Sequence, residues 1–188
     1  MHRRPSFRAR AALIAAGALA AALAFASPVA GEPLRELGTG SLHWWGLHVY
    51  DARLEVSGSR FEPAEPFRLT LRYARAFRGA RIAETSLEEM KRLGFGNPAE
   101  HARWLEAMRR LFPDVKPGEE LAGTSLPGRG AAFLHNGREI GTVEDPAFAR
   151  AFFAIWLDPR TRVGELRTKL LGGAGCAARA GEAGTARC

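Results

Sequence analysis

The chain has 188 residues, with 27 basic and 20 acidic side chains and a formal net charge of +7. Four of the basic residues, Arg3, Arg4, Arg8 and Arg10, crowd into the first ten positions; without them the balance is 23 against 20, or +3. So small an excess excludes a nucleic-acid footprint, and the length describes one domain able to bury a core without staples.

The basic start is followed by "AALIAAGALAAALAFA", an apolar stretch of small residues and leucine. Ala24-Phe25-Ala26 fits the small-x-small cleavage rule, so residues 1–26 are expected to be a signal peptide, with an uncleaved N-terminal anchor as the alternative. The style is that of a bacterial protein exported to the periplasm. Residues 27–33 form a short leader, 34–172 the folded domain, and 173–188 a Gly/Ala-rich tail expected to be disordered. Both cysteines, Cys176 and Cys188, lie in that tail. An oxidising compartment would allow them to pair, and their spacing excludes a catalytic CxxC or a zinc cluster.

"GSLHWWGLHVYDARLEVSG" reads as two strand-like runs around Gly46, the second placing Tyr50, Ala52, Leu54 and Val56 on one face. "EPFRLTLRYARAFRG" repeats the alternation with Phe67, Leu69, Leu71 and Tyr73. The period then changes. Ile82, Leu87, Met90 and Leu93 are at helical spacing, with a stop at Gly94. Asn97 as N-cap and Pro98 at the first helical position open a second helix, whose stripe is Trp104, Leu105, Met108, Leu111 and Phe112.

Strands return in "EELAGTSLPG" and "GAAFLHNGREIGTVED", where Asn136-Gly137 marks a tight hairpin. "DPAFARAFFAIWLDPRT" predicts a helix capped by Asp145. Its twelve residues from Pro146 to Leu157 are too few to span a bilayer, which needs about 20. Phe148, Phe152 and Ile155 form its core stripe, and Phe152 or Trp156 is placed to line a pocket. "GELRTKLLG" is a last short helix. The order (three strands, two helices, three strands, two helices) predicts an α+β domain: a large antiparallel sheet covered on one face by helices.

Catalytic signals are weak. His43, His48, His101 and His135 have no metal-binding spacing, and His43 and His48 are expected on opposite sides of a strand. Ser41, Ser57, Ser59, Ser86 and Ser125 lack a nucleophile context, with Ser86 expected near a helical first turn. Glu88-Glu89 lies on a solvent face, and "LPGRGA" reads as a turn. No metal, cofactor or catalytic residue is assigned. The arginines Arg72, Arg75, Arg78 and Arg81 recur every third residue. Alternation continued past Tyr73 would put Arg75 on the apolar face, where a guanidinium needs an anionic or hydrogen-bonding partner.

"LPGRGAAFLHNGREIGTVEDPAFARAFFAIWLDPRT", "LRTKLLG", "GLHVYDARLEV" and "LRYARAFRGARIAE" together resemble the exported bacterial branch of the chalcone isomerase-like proteins. The resemblance covers nearly all of 34–172 and implies an open-faced β-sandwich. Plant members of that family cyclise chalcones; others bind fatty acids without catalysis, an Arg and a Tyr holding the carboxylate. The enzyme's pocket Arg, Thr, Tyr and Asn are not matched. "LRELGTG" stands where the glycine-flanked turn would be, with Arg35 as a loose counterpart. Trp44 or Trp45 replaces the Thr, and Asn97 is a cap. The expectation is therefore a non-catalytic domain binding a small amphipathic or carboxylate, fatty-acid-like ligand through Arg75, Tyr73, Tyr50 and Trp156. The alternatives are an isomerase or lyase of unknown substrate, and a periplasmic partner-binding module using Trp44-Trp45.

Overall fold

The computed structural model describes residues 33–173. The signal-like segment 1–26, nearly all of the short leader, and Cys176 and Cys188 with the tail beyond Gly173 lie outside the described residues. Ten elements follow in the predicted order. They are β1 (Arg35–Trp44), β2 (Leu47–Val56), β3 (Phe67–Tyr73), α1 (Gly79–Arg92), α2 (Pro98–Leu111), β4 (Glu120–Leu126), β5 (Gly130–His135), β6 (Arg138–Val143), α3 (Pro146–Leu157) and α4 (Gly164–Leu170). The strands make one antiparallel six-stranded sheet whose spatial order is the chain order.

Alternation decides which face is buried. Tyr50, Ala52, Leu54 and Val56 of β2 pair across with Tyr73, Leu71, Leu69 and Phe67 of β3, and all eight are buried. Removing such side chains from water is the main stabilising term of the fold. All four helices pack on this face, and the other face carries charged side chains such as Arg68 and Arg72. Among the described residues no helix is long and apolar enough to cross a membrane.

The helix starts follow their local chemistry. Asn97 Oδ1 accepts from the amides of Ala99 and Glu100 while Glu100 accepts from the Asn97 amide, a reciprocal cap. Asp145 Oδ1 accepts from the amides of Ala147 and Phe148, and Pro146 follows in the first turn. α3 is the central strut. Phe152 is ringed by Phe112, Phe133, Phe148, Phe153 and Trp156, with centroids 5.1 to 6.0 Å away. Ser86, expected near a helical first turn, sits inside α1 and donates to the Ile82 carbonyl at 2.8 Å.

"LRELGTG" proves to be strand, not turn: it forms the body of β1. Gly38 and Gly40 pair with Leu54 and Ala52, and so face the helices. A Cβ on Gly38 would meet the Lys169 carbonyl oxygen at 2.1 Å, and one on Gly40 would meet Leu166 Cδ1 at 2.8 Å. The glycines are the seat of α4, which lies against a strand stripped of side chains.

Candidate functional site

A cleft of about 550 Å3 opens at the end of the sheet where β2 passes to β3 and β4 turns into β5. Phe61, Pro63 and Ala64 of the β2–β3 loop form one wall, with Pro127 and Gly128 of the β4–β5 turn beside them. α3 forms the other wall with Ala149, Phe153, Ala154 and Leu157. These four positions run along the helix at the spacing of one face. Phe61, Phe67 and Phe153 interlock edge to face, with centroids 5.0 and 4.8 Å apart, and make an aromatic floor. Gly123 beneath them allows the floor: a Cβ there would stand 3.1 Å from Phe153 Cε1. The wall residues are therefore Phe153 and Leu157 rather than Phe152 or Trp156.

Two charged residues of α3 and its C-terminus reach the cleft, Arg150 and Asp158. Asp158 is committed. Arg160 donates Nε–H to its Oδ1 and an Nη2 proton to its Oδ2, each at 2.9 Å. These bonds, helped by the Arg160 amide, outweigh burial and hold the carboxyl at about 2. Arg150 is exposed, and its side chain makes no hydrogen bond or ion pair with another described residue. The cleft thus joins an apolar wall to one uncommitted guanidinium, the arrangement that suits an amphipathic anion.

Three of the four ligand-binding residues expected from sequence do come together, inside the core. Trp156 Nε1–H donates to the Tyr50 hydroxyl at 2.8 Å, and the Tyr50 and Tyr73 rings meet edge to face at 5.9 Å. Burial pushes the Tyr50 hydroxyl up to about 12 against the pull of the Trp156 bond. Burial, with Tyr50 alongside, pushes Tyr73 higher still. Both phenols stay protonated at neutral pH. None of the three lines the cleft.

Arg75 does not join them. β3 ends at Tyr73; the Ala74 amide then donates to the Val49 carbonyl, the chain bends, and Arg75 is exposed. Alternation stops with the strand, so its extrapolation to Arg75 fails. Arg75 also stands at the other end of β3 from Phe67 and the cleft, about 20 Å along the strand.

His43 and His48, expected on opposite faces, are cross-strand partners whose rings stack at 4.9 Å. A register shift between Leu42 and His43 and a two-residue turn at Trp45-Gly46 bring them together. His48 Nε2 and Ser41 Oγ both bond Asp51 Oδ1, at 2.9 and 2.6 Å. The Ser41 bond is the larger influence holding Asp51 below its ordinary value. Serine and histidine share the carboxylate rather than each other, so the trio has no proton-relay order. No cluster of three or more metal-binding side chains occurs among the described residues.

Residues 46–172 match the sequence profile described as chalcone isomerase-like. The chain belongs to the chalcone isomerase-like family. The fold agrees with a solved structure, the Arabidopsis thaliana fatty-acid binding protein AtFAP1. The TM-score is 0.59 at 14% identity, over 78% of this chain and 90% of that one. At that identity the likeness shows a shared chalcone isomerase-like architecture and nothing of the ligand. No curated protein matches the sequence.

Proposed function

We propose that this chalcone isomerase-like domain binds a small amphipathic carboxylate, fatty-acid-like in chemistry, with its tail in the α3 cleft and its carboxylate at Arg150. The observation that carries the reading is the pairing of the 550 Å3 apolar cleft with a guanidinium that has no partner among the described residues. The volume lies within the range of small-molecule sites, roughly 300–1,000 Å3. Each methylene placed against Phe61, Phe67 and Phe153 adds about 0.8 kcal/mol of transfer free energy. Arg150 adds orientation, because a planar guanidinium takes a carboxylate through two parallel bonds. The fold shared with a protein described as fatty-acid binding supports the ligand class.

Calorimetric titration with dodecanoate, dodecanol and dodecylamine tests this. Dodecanoate should bind best, and Arg150→Ala should weaken it about tenfold or more, the loss of a charge-assisted pair. Ala154→Phe, which fills the cleft, should abolish binding of all three. Wild-type protein that binds none of them, or an Ala154→Phe variant that binds as well as wild type, would overturn the proposal.

A further inference from the structure

The opposite end of the sheet has a different surface. The β1–β2 hairpin extends past Tyr50 and ends in Trp44, Trp45 and Leu47, which are 54%, 89% and 52% exposed. Elsewhere the large apolar side chains are mostly buried, including the other two tryptophans, Trp104 and Trp156. The turn itself is unusual. Trp45 and Gly46 have φ of 51° and 75°, the two left-handed positions of a type I′ hairpin. The β5–β6 hairpin of the same protein fills the equivalent positions with Asn136 and Gly137, the favoured pair. A bulky residue with positive φ is strained, and strain retained at one exposed position points to use of the side chain there.

Basic residues lie behind this tip, on segments that meet the sheet at the level of Val49 and Tyr73. The chain leaving β3 runs beside β2 through the Ala74–Val49 bond, and then carries Arg75 and Arg78. The turn after Val115 is tied to the same end by the Gly118 amide donating to the Tyr73 carbonyl, and it carries Lys116. Arg75, Arg78 and Lys116 are exposed, and their side chains make no ion pair with another described residue. The nearby acids are already engaged: Asp51 with Ser41 and His48, Asp114 with the Gly79 amide, Glu119 with the Lys116 amide and His135.

We infer that the Trp44-Trp45-Leu47 hairpin tip, with Arg75, Arg78 and Lys116 behind it, docks on an anionic lipid bilayer. Indole rings settle at the headgroup level, where an apolar body and a polar N–H are both satisfied. Basic side chains set back from the tip would face the headgroup charge. A second protein copy fits less well, because two such tips would bring their basic residues together.

The test is fluorescence of the full chain with vesicles of brominated phosphatidylglycerol, against brominated phosphatidylcholine, at low and high salt. Bromine quenches only indoles that reach the acyl region. Trp44 and Trp45 should be quenched on the anionic vesicles at low salt, with the buried Trp104 and Trp156 as unquenched baseline. Trp44→Ala/Trp45→Ala should lose the quenching. Trp45→Asn, which suits the turn, should keep the fold and bind more weakly. Arg75→Glu and Arg78→Glu should each weaken partition about fivefold or more, and salt should do the same. No wild-type quenching, equal quenching in the double variant, or partition indifferent to lipid charge would overturn the inference. So would an emission shift that depends on protein concentration without lipid, which would mark self-association.

Discussion

Asp145 holds three donors at once: Trp104 Nε1–H on Oδ2 at 2.9 Å, and the amides of Ala147 and Phe148 on Oδ1. Burial works against its charge, yet these bonds win and the carboxyl sits below its ordinary value. Asp158, bonded mainly by Arg160, is held at about 2. For an acid depressed on folding, the stabilisation is complete above the unfolded value near 4 and is lost as pH falls toward the folded one. Urea midpoints should therefore hold steady from pH 7 to about 5 and fall steeply between about 4 and 2. Asp145→Asn should flatten that limb. It keeps an oxygen for the helix amides but turns an N–H toward Trp104, costing about 1–2 kcal/mol at pH 7. A limb of unchanged slope in the variant would show that Asp145 is not among its causes.

At the scale of elements, α4 depends on what β1 lacks. Gly38→Ala would place a methyl group against the Lys169 and Leu170 carbonyls, at 2.1 and 2.6 Å. The expected result is a loss of about 1–3 kcal/mol, with faster hydrogen exchange in α4 than in α1. Equal exchange in both helices would mean that the strand yields instead. The strands and helices with clean periods were legible in the sequence: β2, β3, the Asn97 and Asp145 caps, and the Asn136-Gly137 turn all stand where their chemistry puts them. β1 was half legible, because two glycines without side chains look like a turn when the helix that needs them is 130 residues away. The candidate site was the least legible part. Its walls come from a loop near Phe61 and a helix near Phe153, and no period links them. Tyr50, Tyr73 and Trp156, expected to bind a ligand, meet instead as part of the core. Arg75 was misplaced because alternation was carried beyond the last residue of a strand.

Over the whole molecule, the cleft and the tryptophan tip occupy opposite ends of one sheet, so each surface can be altered without touching the other. The order of that sheet has another consequence, in time rather than in space. Four of its five pairings join strands linked by short connections, and the fifth, β3 with β4, spans both α1 and α2. Phe67 meets Ser125 and Leu71 meets Leu121 only after this long segment has closed. Loop closure must precede the contacts that reward it, which makes the joining of the two meanders the slow event. Leu121→Ala should therefore slow refolding in stopped-flow measurements by about tenfold or more. Val143→Ala at the β6 edge should leave the refolding rate nearly unchanged and speed unfolding instead. A chevron in which both variants move the same arm would place the rate-limiting contact elsewhere. The helical pair between the two halves acts as the latch whose closing sets how fast the chain becomes a protein.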